Sequence, residues 1–223
     1  MVAVPTRGQV AWQTVQQLEA IRDASKGLPP IAWQPGTLSV ALTRNIIVRR
    51  FLASPCEVLV MVDDDVAPPP HMLDALLPAP QRLLPDGYGM VGLPDPQFVA
   101  QTGHLILTAW RQGPLGLANV QEFRQGWNDC DVLATGCCAI PRATLEQLGP
   151  DPFRMPNSPD APALSDDFIF CEDVRAAGLR IGCWMDGAFA DHVRPANLGH
   201  IMEAAGFGRT EEAASPIWTP GRG

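Results

Sequence analysis

The chain has 223 residues, 46% hydrophobic and 18% charged, which suits a buried core in one domain or two abutting halves and not a disordered chain. Its net charge is −8, Lys26 is its sole lysine, and no basic cluster exceeds Arg49-Arg50, which argues against a broad phosphate-tracking groove for nucleic acid. No apolar run approaches the roughly 20 residues that span a bilayer. The N-terminal MVAVPTRGQV also lacks the basic-then-apolar pattern of a signal peptide. The six cysteines (Cys56, Cys130, Cys137, Cys138, Cys171, Cys183) show no CxxC spacing and fall mostly in apolar segments. Buried free thiols in a reducing cytosol are expected, not a zinc site or a disulfide framework.

In chain order, Val2 to Pro5 reads as a short strand ending in the turn Pro5-Thr6-Arg7-Gly8. A helix is expected from about Gln9 to Ser25, with Val10, Val15, Leu18 and Ile21 near helical spacing. Leu42 to Ala53 suits a second amphipathic helix. Val58-Leu59-Val60-Met61-Val62 is a continuous apolar run of the kind shown by a central strand covered on both faces. It stops at Asp63-Asp64-Asp65. Further strands are expected at Gly89 to Leu93 and Leu179 to Trp184, hairpin-like pieces at His104 to Trp110 and Leu115 to Phe123, and helices at Pro141 to Leu148 and, capped by Ser165, through Ala177. Alternating strands and helices predict an α/β fold, with a mostly parallel sheet flanked by helices and ligands beyond the carboxyl ends of its strands.

Three consecutive carboxylates at a strand end need compensation. One reading is a solvated acidic turn. The other is a hard-cation site: in an extended chain Asp63 and Asp65 alternate onto one side, and oxygen ligands suit Mg²⁺ or Mn²⁺. An apolar strand running straight into the acids favours the second. Aspartates after VLVMV are also compatible with haloacid-dehalogenase-like phosphatases, which normally need a lysine downstream; Lys26 lies upstream.

Four segments, taken in order, resemble GT-A glycosyltransferases of the family-2 kind. Val4-Pro5-Thr6 looks like the first-strand segment that cups the nucleotide base. Arg44-Asn45 is similar to an "ARN" helix preceding the acidic strand. Asp63-Asp64-Asp65 looks like the DXD motif. Ser165-Asp166-Asp167-Phe168-Ile169-Phe170-Cys171 with Arg175 and Gly178 is similar to the "(E/D)D-x-x-(F/L)-C…R…G" segment, departing from it at Asp166, where glutamate is commoner.

The resemblance implies a single GT-A catalytic domain over 1–197, with a nucleotide-binding half (1–93), an acceptor-facing half (94–197) and a C-terminal tail or lid (198–223). It implies a hexosyltransferase-type enzyme that moves a sugar from a UDP- or GDP-type donor to a hydroxyl acceptor. Asp63, Asp65 and His192 would hold Mn²⁺ or Mg²⁺. Pro5, Thr6, Arg44, Asp64 and Gly136 would join the two aspartates at the nucleotide sugar. Asp167, beside Asp166, would be the general base of an inverting reaction. The competing reading for Asp166 and Asp167 is an acidic first helical turn, favoured by the macrodipole at an exposed helix start. For the chain as a whole, the rival functions are a metal-dependent phosphatase or nucleotidyltransferase with an Asp-rich site, and a non-catalytic nucleotide-sugar binder. The acidic balance disfavours a nucleic-acid acceptor.

Overall fold

The computed structural model describes residues 1–24, 30–36, 39–72, 76, 86–99, 104–114, 116–120, 124–155, 165–185 and 190–193. The expected tail or lid, the boundary at 197 and most of the proline-rich stretch before Ser165 lie outside them.

A seven-stranded sheet organises the chain. Its strands are β1 (Val2–Thr6), β2 (Ala32–Pro35), β3 (Val58–Val62), β5 (Tyr88–Gly92), β10 (Gly126–Cys130), β12 (Cys137–Pro141) and β13 (Arg180–Met185), in the order β10-β13-β5-β12-β3-β1-β2. Five of the seven run in one direction. β12 and β10 are reversed, pairing antiparallel with β3 and β5 and with β13 respectively. The sheet is thus mixed α/β, mostly parallel and Rossmann-like, as expected. Three of its strands, β2, β10 and β12, have no counterpart among the strands expected from the sequence.

Helices cover both faces. α1 (Trp12–Ala24) buries Leu18 and Ile21 on one side, together with Val2, Val4, Val60, Val62, Cys137 and Ala139 of the sheet. α2 (Val40–Leu52), α3 (Arg142–Leu148) and α4 (Asp166–Ala176) pack on the other, against Ala3, Leu59, Met61, Cys138 and Ile140. The alternation within Leu59 to Val62 sends successive side chains into opposite cores. Hence an unbroken apolar run, and not a polar–apolar one, codes for this strand. Fully burying each such side chain contributes roughly 1.5–3 kcal/mol.

The helices start and stop for local reasons. Ser39 Oγ accepts the Leu42 N–H at 3.2 Å and caps α2. Gly178, at φ 78°, ends α4 in the left-handed region, where the Leu179 N–H returns to the Val174 carbonyl at 3.1 Å. Ser165 sits at the N-cap of α4 as expected, but its side chain makes no capping hydrogen bond.

Smaller pieces decorate the sheet. β6 (Pro96–Val99) pairs with β7 (His104–Leu107), and β8 (Ala109–Gly113) with both β9 (Gly116–Asn119) and β11 (Val132–Leu133). β4 (Val66–Ala67) pairs with β14 (Asp191–His192). All six cysteines are free, and all but Cys56 are buried. Among the described residues no helix is long and apolar enough to cross a membrane.

Gly92 reports on the tightness of the sheet. A Cβ there would lie 2.6 Å from the Cys137 carbonyl oxygen and 3.0 Å from Leu133 Cδ2. Backbone on one side and core on the other leave little room to adjust. Gly92→Ala is therefore expected to lower stability by roughly 1–3 kcal/mol, the range for overpacked cores. Urea unfolding of the two proteins measures it, and an unchanged midpoint would contradict the packing described.

Candidate active site

Five strand ends deliver their next residues to the carboxyl edge of the sheet. Pro5 and Thr6 close β1, Asp63 comes after β3, Asp95 lies beyond β5, Gly136 precedes the reversed β12, and His192 comes after β13. α2 and α4 point their N-termini at the same place. Together these elements line one cavity of about 400 Å³, which includes Arg7, Ser39, Thr43, Gln97 and every residue singled out from the sequence as catalytic, nucleotide-binding or metal-binding.

The acidic run is a turn, not an extended chain. The Val66 N–H donates to the Asp63 carbonyl at 3.1 Å. The expected alternation of Asp63 and Asp65 onto one side is therefore replaced by divergence. Asp63 turns to Arg44, whose Nη2 reaches both of its carboxylate oxygens at 3.0 and 2.9 Å. Asp64 accepts the Arg7 backbone N–H at 3.0 Å. Asp65 Oδ2 lies 3.1 Å from His192 Nε2.

Arg44 gathers three carboxylates. Besides Asp63, its Nη1 donates to Asp166 Oδ2 at 2.8 Å and to Asp167 Oδ1 at 2.6 Å. The Arg44 side chain is 3% exposed. Burial opposes its charge, but the fields of Asp63, Asp167 and Asp166 outweigh that and hold its pKa well above the ordinary arginine range. Burial pushes the Asp63 carboxyl up to about 6, with Arg44 pulling it down and Asp167 adding to the rise. Asp166 is raised by the same burial, partly offset by Arg44. The expected exposed helix start is overturned here: the Asp166 side chain is as buried as Arg44, and Asp167 is mostly buried. Both acids belong to an internal ion cluster as well as to the first turn of α4.

Asp167 is held at one oxygen. Oδ1 accepts both the Arg44 guanidinium and the hydroxyl of fully buried Thr135, the latter at 2.6 Å. That leaves Oδ2 as the oxygen that can take a proton. Asn45, the neighbour of Arg44 on α2, steadies the surroundings. Its amide exchanges hydrogen bonds of 2.8 and 2.9 Å with the Phe153 backbone, and the Phe153 ring stacks on Phe170 of α4.

On the opposite wall, His192 stands between two acids. Its Nε2 faces Asp65 and its Nδ1 lies 2.8 Å from Asp95 Oδ2. Asp65 and then Asp95 hold its imidazole up at about 9, against the opposing effect of burial. The two-residue pairing of β14 with β4, with His192 opposite Val66, and the Val193 N–H to the Asp65 carbonyl at 2.7 Å fix this placement.

Among the described residues no group of three or more His, Cys, Asp or Glu side chains forms a complete metal-ligand set. The pair Asp65 and His192 nevertheless fits a small hard cation. Their 3.1 Å separation matches the edge of an octahedron with bonds of about 2.1 Å, roughly 3.0 Å, leaving other positions for water and phosphate oxygens. Asp63 has both oxygens committed to Arg44. Gly136 forms the floor between the walls: a Cβ there would lie 3.3 Å from Val66 Cγ2, 3.6 Å from Asp95 Oδ1 and 3.8 Å from Asp63 Oδ2.

Sequence reasoning missed Asp95 and the bond from Thr135 to Asp167. The usable signal for Asp95 is a second strand, Gly89 to Leu93, running into an acid, as β3 does. Fold and site define an α/β protein with a Rossmann-like sheet and an acidic cavity at its carboxyl edge. No family model and no curated protein matches the chain. Among solved structures, A197 from STIV superposes with a TM-score of 0.57 at 16% identity, covering 87% of this chain and 85% of that one. A CMP:2-keto-3-deoxy-manno-octonic acid synthetase complexed with CTP aligns over 92% of this chain and 96% of its own at 12% identity and a TM-score of 0.49. The first likeness is one of fold; the second superposition is too loose to bear on function.

The ion cluster generates a prediction with a defined sign. Arg44→Met strands three carboxylates in the interior and is expected to cost roughly 3–5 kcal/mol, as when one partner of a buried ion pair is removed. Without Arg44, Asp63 and Asp166, already raised by burial, bind protons more tightly still in the folded state, so the fold is favoured at low pH and opposed as pH rises. The deficit relative to the parent should therefore be largest above neutrality and shrink as pH falls toward about 6, the value for Asp63 with Arg44 in place. Chemical denaturation at pH 5 and pH 8 measures it; equal deficits at both would contradict the cluster.

Proposed function

We propose that this protein is a metal-dependent glycosyltransferase that moves a hexosyl unit from a nucleoside-diphosphate sugar of UDP or GDP type to a hydroxyl acceptor, with inversion. One observation carries the reading. A single cavity holds an Asp167 carboxylate with one oxygen free to accept a proton and, on another wall, the Asp65–His192 pair at the spacing of adjacent metal ligands. The likeness of the four sequence segments to GT-A enzymes supports it, as does the cavity volume of about 400 Å³, within the usual range for cofactor-sized ligands.

In this reading Asp65 and His192 would hold Mn²⁺ or Mg²⁺. When bound, the ion supplies positive charge to the departing diphosphate. Pro5 and Thr6 border the nucleotide, and Gly136 leaves space for the donor sugar beside Asp63. Asp167 Oδ2 removes the proton from the acceptor hydroxyl as its oxygen attacks the anomeric carbon. The bond from that carbon to the diphosphate oxygen breaks on the opposite side, and the proton ends on Asp167. Arg44 and Thr135 keep Oδ1 still, so the oxygen that reacts is always the same one. Asp63 holds the other end of Arg44. Residues 1–93 would then serve the nucleotide and 94–197 the acceptor. A net charge of −8 favours an acceptor other than nucleic acid, and six free thiols favour a reducing cytosol.

Two substitutions separate the roles. Asp65→Asn should weaken Mn²⁺-dependent binding of nucleoside diphosphate and abolish transfer together. Asp167→Asn should leave donor binding nearly intact and lower turnover by roughly 10²–10⁴-fold, the usual contribution of a general base. Calorimetry with UDP or GDP, with Mn²⁺ or EDTA, and product analysis with sugar nucleotides are the measurements. Equal nucleotide affinity with Mn²⁺ and EDTA would remove the metal from the reading. Release of pyrophosphate from a nucleoside triphosphate supplied with a sugar or sugar phosphate, with no turnover of sugar nucleotides, would make the enzyme a nucleotidyltransferase, and full transfer by Asp167→Asn would end its assignment as base.

A further inference from the structure

Behind His192 lies a carboxylate that the reaction just described leaves without a task. Asp95 sits between Pro94 and Pro96, whose rings fix the backbone on both sides, and its side chain is only 3% exposed. Thr108, itself buried, grips it in three places. The Thr108 N–H donates to the Asp95 carbonyl at 3.1 Å, the Asp95 N–H to Thr108 Oγ1 at 2.9 Å, and the Thr108 hydroxyl to Asp95 Oδ1 at 2.6 Å. Thr108 is anchored in turn, its carbonyl accepting the Ala134 N–H at 3.0 Å. With Oδ1 so engaged, Oδ2 lies 2.8 Å from His192 Nδ1, at ion-pair distance. A buried, unpaired carboxylate would be costly. This one is built in rigidly and lies beside one ring nitrogen.

We infer that Asp95 is a positioning residue for the metal: it holds the Nδ1–H of His192, so that Nε2, once its proton is released to solvent, presents its lone pair to an ion shared with Asp65. A ligating histidine commonly gives its second N–H to such an outer carboxylate, which fixes the ring's tautomer and orientation and raises its basicity. Here the order runs Thr108, Asp95, His192, then Asp65, every link within hydrogen-bond distance. The inference rests on the metal reading above and adds to it that the geometry of the ion's nitrogen ligand is set by a residue that does not itself touch the ion.

A double-mutant cycle on the full chain tests it, with Mn²⁺ alone as the probe. Binding is measured from the free-Mn²⁺ electron spin resonance signal. Nitrogen coordination is read from the imidazole modulation in the spin echo. Asp95→Asn, nearly isosteric, should weaken Mn²⁺ binding by roughly 10–100-fold and diminish the imidazole modulation. His192→Ala should abolish the modulation, and adding Asp95→Asn to it should change Mn²⁺ affinity no further, because Asp95 acts only through the ring. Thr108→Val, which frees Oδ1 but keeps the carboxylate, should weaken binding in the same direction by less, and carries the test if Asp95→Asn does not fold. Unchanged Mn²⁺ affinity in Asp95→Asn, or an undiminished further loss on the His192→Ala background, overturns the inference while leaving the metal reading standing. If Asp65→Asn and His192→Ala both bind Mn²⁺ like the parent, the metal reading itself falls and takes this role of Asp95 with it.

Discussion

The site depends on the arginine that α2 buries among three aspartates. One guanidinium faces Asp63, Asp166 and Asp167, so the cluster carries more negative than positive charge when all are ionised. Such a group is a poor source of stability: desolvating four charges costs several kcal/mol for each ion before attraction repays it. What it provides is position. Arg44 and Asp166 are 122 residues apart in sequence, and the fork of Arg44 sets where the end of β3 lies relative to the start of α4. Cations other than arginine would serve less well, because a planar fork reaches several oxygens at fixed angles and an ammonium does not.

Around that cluster the sheet does the sorting. Parallel strands leave their carboxyl ends on one edge, and the residues just beyond each strand are presented there. The reversed β12 offers its beginning at the same edge, which is why small, backbone-exposing Gly136 arrives opposite Asp63; the Asp63 N–H donates to its carbonyl at 2.9 Å. The two walls of the cavity therefore differ in chemistry. One is an arginine-centred set of acids, the other an imidazole between carboxylates. The first suits a group that must hold or take a proton at one oxygen, the second a group that meets a cation.

How much of this the sequence discloses depends on whether a feature is local. The strand Val58 to Val62 is legible because burial on both faces needs only apolar residues in a row. The same holds for α1, α2, α3 and α4, where apolar spacing and terminal signals suffice. β2 and β10 are not legible. AWQP and GWNDC carry proline, glycine or polar residues, lie at the two edges of the sheet, and are strands only because β1 and β13 pair with them. The residues singled out from the sequence all line the cavity, yet their partners are not legible. An extended pair of Asp63 and Asp65 overlooks the turn that separates them, and a solvated helix start at Asp166 and Asp167 overlooks Arg44. Asp95 gives only the weak local pattern of a strand running into an acid. Its significance comes from Thr108 and His192, which only the tertiary fold brings near.

Among the described residues, the backbone around His192 is held by short pairings. Two residues of β14 paired with two of β4, and one further backbone bond from Val193, hold it against Asp65. The main sheet, by contrast, is locked by two apolar cores. Opening so short a pairing breaks few backbone bonds, which places it lower in the range of local unfolding free energies than the main sheet. The consequence is a division of labour by rigidity. The arginine-bound acids are tied across the fold from α2 to α4, whereas the histidine sits on a pairing of two residues. Amide hydrogens of 191–193 would then exchange with solvent before those of Leu59 to Val62, and the imidazole wall would loosen ahead of the arginine wall.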